Sequence, residues 1–147
     1  MFDKKYISEV VAKIKDGSLI FQNLSIVEQV NDEIAKVGLE KDGLNLRYLS
    51  QKQQNDKELV YLAIKSNPNA YFYTSMLLQR DEEIAWLTLK HDCSNDLLIK
   101  ISNIFYKKNK EITKYIIQKS SYVYEYHKYN QFPPISEILK DQNKKGF

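Results

Sequence analysis

Asn55-Asp56-Lys57-Glu58-Leu59 is answered by Arg80-Asp81-Glu82-Glu83-Ile84 at an offset of 25, and Asn31-Asp32-Glu33-Ile34 stands one step earlier at the same offset. Self-similarity at a fixed period of about 20 to 50 residues marks a stacked repeat array. Each copy in such an array is one supersecondary unit, too small to bury its own apolar face. The register holds position by position. Ile34, Leu59, Ile84 and, after a longer step of 28, Ile112 take a first apolar slot. Val37, Leu62, Leu87 and Tyr115 take a second, Gly38, Ala63, Thr88 and Ile116 a third, and Leu39, Ile64, Leu89 and Ile117 a fourth. Slots at i, i+3, i+4 and i+5 read as one face of a helix. Glu33, Glu58, Glu83 and Glu111 precede them. With Asn55 as N-cap, Glu58 falls at N3 and completes a capping box. A carboxylate in a first turn also suits the helix dipole, so these acids read as helix initiators rather than catalytic groups.

A second element follows in each copy. Asp42-Gly43 and Asn67-Pro68 stand 25 apart at turn positions, where Asn67 can cap the next helix with Pro68 at its first position. Leu44 to Ser50 and Asn69 to Ser75 then align through their serines, and Leu24-Ser25 lies one further repeat upstream. That places a degenerate first copy at the start, with Ile14 matching Leu39. The expectation is an all-α single domain over residues 1–147, built of about four to five stacked short helix–turn–helix repeats.

Asn55-Asp-Lys-Glu-Leu-Val-Tyr-Leu-Ala-Ile-Lys65, then Asn67-Pro68, then Ala70-Tyr-Phe-Tyr-Thr-Ser75 resembles the repeat of the domain-of-unknown-function family 4116. The resemblance covers about residues 24–91, with fainter echoes on both sides. It implies an all-helical array, carries no established activity and transfers no site residues. The third copy departs from the pattern, with Cys93 in its turn, three extra residues and no Ala-Ser signature; the fourth is longer and rich in tyrosine.

Length and composition agree with one helical domain. A chain of 147 residues buries about 70% of the surface its unfolded form exposes. Only 4 Gly and 3 Pro leave room for short connections between helices. No run of 18 apolar residues exists, which argues against a membrane span. Charge interrupts the apolar residues of Met1-Phe-Asp-Lys-Lys-Tyr-Ile-Ser-Glu, so the start does not read as a secretory signal. One cysteine closes no internal disulfide, and a reducing cytoplasm is the expected location. The wealth of Lys, Asn, Ile and Tyr suggests an AT-rich genome, bacterial, phage or viral.

Charge is unevenly spread. Residues 1–99 carry 12 Lys and Arg against 15 Asp and Glu, net −3, while residues 100–147 carry 10 against 4, net +6. Six of the 11 tyrosines share that basic end: Tyr106, Tyr115, Tyr122, Tyr124, Tyr126 and Tyr129. In Tyr122-Val-Tyr124-Glu-Tyr126-His127-Lys-Tyr129, alternation suits a strand, but within a helical array a helix is preferred. On it Tyr122, Tyr126 and Tyr129 share a face and Tyr124 points elsewhere. Such a face either packs on its neighbours or offers a contact surface, since tyrosine presents apolar area with a polar tip. The candidate partner-binding residues are Lys107, Lys108, Lys110, Lys114, Tyr122, Tyr124 and Tyr126. After them Gln131-Phe-Pro133-Pro134 breaks the chain, and residues 131–147 read as a capping segment with a frayed end.

Enzymatic readings fare poorly. His91-Asp92-Cys93 invites a nucleophile with its base, but Cys93 aligns with Gly43 and Pro68 in a turn. One Cys and two His make no ordinary structural zinc site, and no glycine-rich phosphate loop is present. Trp86 reads as core or inter-repeat packing. The expected function is a non-enzymatic protein-binding module without cofactor, metal, membrane or small-molecule substrate. A small adaptor or inhibitor opening on Met1 suits that class, gripping a larger protein with an acidic surface. The alternative is nucleic-acid binding, with the lysines on phosphates and tyrosines stacked on bases. The two arginines, Arg47 and Arg80, lie outside the basic end and weaken that alternative.

Overall fold

The computed structural model describes residues 1–130 together with Glu137 and Ile138. Every regular element among them is helical and no strand occurs, so the protein is all-α. The chain divides into two compact units, Met1–Asp92 and Cys93–Phe147.

The first unit opens with α1 (Lys4–Asp16) and runs through the 3-10 segment η1 (Phe21–Asn23), α2 (Ile26–Gln29), α3 (Asp32–Lys41), η2 (Gly43–Tyr48), α4 (Gln51–Gln54), α5 (Lys57–Ser66), η3 (Pro68–Tyr73), α6 (Met76–Gln79) and α7 (Glu82–Leu89). The repeat is plain in this order. A long helix is followed by a 3-10 segment and a single α-turn, rather than by a second full helix. The long helices stack in sequence, α1 on α3, α3 on α5 and α5 on α7.

Side chains repeat with the backbone. Asn31, Asp56 and Asp81 each accept from two backbone amides at the start of α3, α5 and α7. Asp56, not Asn55, is therefore the N-cap of α5, and Glu58 does not reach N3. The capping boxes sit instead on the one-turn helices, at Ser25 with Glu28 and at Ser50 with Gln53. Asp42 and Asn67 share an extended backbone near φ −151° and −152°, and each side chain caps its 3-10 segment; Pro68 takes the first position of η3 as its fixed φ allows.

The inward face also differs in detail from the expected slots. Ile34, Ala35, Gly38 and Leu39 are buried on α3, Leu59, Val60, Ala63 and Ile64 on α5, and Ile84, Ala85, Thr88 and Leu89 on α7. At about 100° per residue, i, i+1, i+4 and i+5 fill an arc of about 140°, whereas i+3 lies about 130° from its centre. Val37, Leu62 and Leu87 are accordingly only half-buried flank residues. Trp86 is half-buried on the other flank of α7 and lines a groove with Tyr61, Glu83 and Leu87.

Two glycines mark close approaches. A Cβ on Gly38 would fall 2.3 Å from the Phe21 ring, and one on Gly43 would fall 2.0 Å from the Ala63 carbonyl oxygen. Three glutamines, again one repeat apart, lock the connecting segments. Gln29, Gln54 and Gln79 each donate a side-chain N–H back to a 3-10 carbonyl, those of Phe21, Leu46 and Tyr71. Copies are also tied to one another. The Gln53 side chain donates to the Val30 carbonyl at 2.9 Å, the Ser75 amide donates to the Gln54 carbonyl at 2.9 Å, and Lys57 bridges to Asp81 and Glu83.

The second unit holds α8 (Asn95–Phe105), α9 (Lys110–Lys119) and α10 (Ser121–Tyr129). Here Ser94 starts an 11-residue helix where a 3-10 segment and one turn stood before. Leu97, Leu98, Ile101 and Phe105 give it a continuous buried face, with no Gly or Pro to interrupt it. On α9, Ile112, Thr113, Ile116 and Ile117 restore the i, i+1, i+4, i+5 pattern behind an Asn109 N-cap, and Tyr115 of the expected second slot is exposed. The expected Pro133-Pro134 break, capping segment and frayed end lie outside the described residues, apart from Glu137 and Ile138.

Candidate functional site

The basic, tyrosine-rich surface belongs wholly to the second unit, and three hydrogen bonds fix its geometry. Ser120 Oγ donates to Asn95 Oδ1 at 3.1 Å, Ser102 Oγ and His127 Nε2 share a bond of 2.6 Å, and Asn103 Nδ2 reaches the Tyr126 hydroxyl at 3.5 Å. Residues early in α8 thus meet those at the start of α10, and later ones meet later ones, so the two helices run in the same direction. The first two pairs are separated in sequence by the same interval as the repeats. Connecting them, α9 runs the opposite way, and its first turn lies at the end where α8 and α10 finish.

Lys107 and Lys108 occupy the α8–α9 turn, Lys110 opens α9, and all three are exposed; Lys114, one turn on, is half-buried. These lysines gather at the Tyr126 and Tyr129 end of α10. Tyr122 is about 10 Å away along the helix, at about 1.5 Å per residue. The inward face of α10 is Val123 with His127, both buried. That leaves Tyr122 and Tyr129 on one exposed flank with half-buried Tyr126, and Tyr124 on the opposite flank. On that face Tyr122 is 57% and Tyr129 77% exposed, while Tyr126 is half-buried. Lys107 Nζ lies 5.4 Å above the Tyr106 ring and Lys119 Nζ 5.8 Å above that of Tyr115, within cation–π range. The surface therefore mixes charge with aromatic area rather than segregating them.

His127, inside the segment expected to form this surface, lies beneath it instead. Burial holds its imidazole below the usual histidine range, favouring the neutral ring that bonds Ser102. A serine hydroxyl on a histidine nitrogen is half of a nucleophile pair, yet both side chains are inaccessible, at 0% and 1% exposure. Their bond ties α8 to α10. The Val123 and His127 spacing of i, i+4 is the sequence signal for the buried histidine. Cys93 sits in the connection between α7 and α8, half-buried. Among the described residues no group of three His, Cys, Asp or Glu is placed to hold a metal, and no helix is long and apolar enough to cross a membrane.

Residues 31–79 match the model of the domain of unknown function DUF4116. The resemblance read from the sequence holds for that segment. The matched DUF4116 segment runs from the Asn31 cap of α3 to Gln79 of α6, which is two successive copies of long helix, 3-10 segment and single turn. The lysine and tyrosine surface lies outside it. No curated protein and no solved structure matches the chain.

Proposed function

We propose that this chain is a non-enzymatic protein-binding module, a small adaptor or inhibitor that grips a larger protein through an acidic surface. The observation that carries this reading is the exposure of Tyr122, Tyr124 and Tyr129 on a helix whose fixed position comes from Val123 and His127 below. Packing does not need those rings. A tyrosine held on a rigid helix loses little conformational freedom on binding and brings both apolar area and a hydroxyl to a contact. Lys107, Lys108 and Lys110 beside that surface supply steering charge for an acidic partner. Tyr126, half-buried against Asn103, supports the exposed tyrosines rather than anchoring a contact.

Affinity purification on the full chain, with and without nuclease, tests the reading. Recovery of one stoichiometric protein that survives nuclease treatment supports it. Recovery that disappears with nuclease transfers the surface to nucleic acid.

A further inference from the structure

The first two residues of α2, α4 and α6 occupy equivalent places in three successive copies, and the apolar ones among them stand exposed. On α4 they are Gln51 and Lys52, so the fold requires no apolar group there. On α2 they are Ile26 and Val27, 76% and 65% exposed, and on α6 Met76 and Leu77, 73% and 70% exposed. Four large apolar side chains thus stand in water at positions where the intervening copy is polar, so packing within the fold does not account for them. The frame presenting them is fixed, since Ser25, Ser50 and Ser75 cap the three turns and Gln29, Gln54 and Gln79 lock them to the 3-10 segments. The single turns sit on α3, α5 and α7, which stack in sequence with a step of about 8–10 Å, so the two apolar pairs stand roughly 16–20 Å apart with Lys52 between them. Lys52 makes no ion pair among the described residues.

We infer that this ridge is a second docking surface, for a segment of a partner protein that carries two apolar anchors flanking an acidic residue. The charge of Lys52 selects that occupant. A second copy is disfavoured, because a two-fold axis that exchanged the α2 and α6 pairs would set Lys52 against Lys52. The ridge belongs to the first unit and the lysine and tyrosine surface to the second, and the inference shares with the function proposed above only that the chain binds protein.

Panning a phage-displayed random peptide library on the full chain, followed by fluorescence anisotropy of the enriched peptides, tests this. The enriched sequences should carry two apolar clusters with Asp or Glu between them. Ile26→Ser/Val27→Ser and Met76→Ser/Leu77→Ser, with unchanged circular dichroism, should each weaken binding at least about tenfold, as truncating interface anchors does. Panning on Lys52→Glu should move the central preference to Lys or Arg. Absence of enrichment, or peptides whose affinity ignores the ridge variants, would overturn the inference. Weakening confined to Lys108→Glu/Lys110→Glu would also overturn it while leaving the function proposed above standing. Dimerisation of the wild-type chain that Met76→Ser/Leu77→Ser abolishes would give the ridge to a second copy and refute the stated occupant.

Discussion

Replacing Gly43 with alanine tests how tightly successive copies are stacked. The new Cβ would stand 2.0 Å from the Ala63 carbonyl oxygen, 2.8 Å from the Ala63 carbonyl carbon and 3.0 Å from the Asn67 nitrogen. All three are backbone atoms at the end of α5, so no rotamer change relieves the clash. Relief requires η2 to move away from α5 by about an ångström, which also stretches the bond from the Gly43 amide to Ser66 Oγ, 3.1 Å in the native protein. Overpacking of this kind costs about 1–3 kcal/mol. A chain near this length loses about 2–4 °C of Tm per kcal/mol, so the expected fall is roughly 2–12 °C. Trp86, the single tryptophan, lies on α7 of the same unit and reports the melt by fluorescence alongside far-UV circular dichroism. Gly17 provides the control. Its φ of 83° is left-handed with nothing within 4 Å of a built Cβ, so asparagine, which tolerates that region, should be accepted there and rejected at Gly43. A Gly43→Ala protein that melts with the wild type would refute the close stacking of η2 on α5.

Ile64→Ala, at a fully buried position, should cost about 2–5 kcal/mol in urea melts, while half-buried Leu62→Ala should cost less than half as much. Thr113 is buried and its hydroxyl has no hydrogen-bond partner among the described residues, at the position where the earlier copies have Ala35, Val60 and Ala85, so Thr113→Val should stabilise by about 1 kcal/mol or more in the same assay. His127 has a folded pKa below its unfolded value of about 6.5, so its stabilising effect is complete above that pH. It is lost as pH falls below about 6.5, because the unfolded chain takes up the proton first. The urea midpoint should decline as pH falls below about 6.5 in wild type and decline less in His127→Gln.

Much of the fold was legible because the period is written into residue types. Asp42 with Asn67, and Ser50 with Ser75, hold matching capping roles one repeat apart, and their chemistry leaves few alternatives to a helix start. The inward face, by contrast, differs from the expected slots by one position. Val37, Leu62 and Leu87 are apolar, and apolarity alone does not separate a core residue from a flank residue, whereas the small Ala35 and Ala85 look unremarkable until α-helix stacking makes them the contact. Gln29, Gln54 and Gln79 repeat visibly, but their role depends on 3-10 carbonyls whose position only the folded chain supplies. The tyrosine helix was legible as a helix. Its buried side was legible only in part: Val123 and His127 at i, i+4 mark it, but the bond that holds His127 there depends on Ser102, a partner on another helix that nothing in the local sequence identifies.

The claim that the lysine and tyrosine surface binds an acidic protein is tested most directly by partner affinity for Lys108→Glu/Lys110→Glu and for Tyr124→Ala, each with native helicity. Charge reversal should mainly slow association and flatten its salt dependence, as expected of lysines that steer a partner. Tyr124→Ala should weaken binding by about 2 kcal/mol or more if the ring is an interface anchor. Affinity and association rate equal to wild type in both proteins would contradict the account and remove this surface as the site of binding.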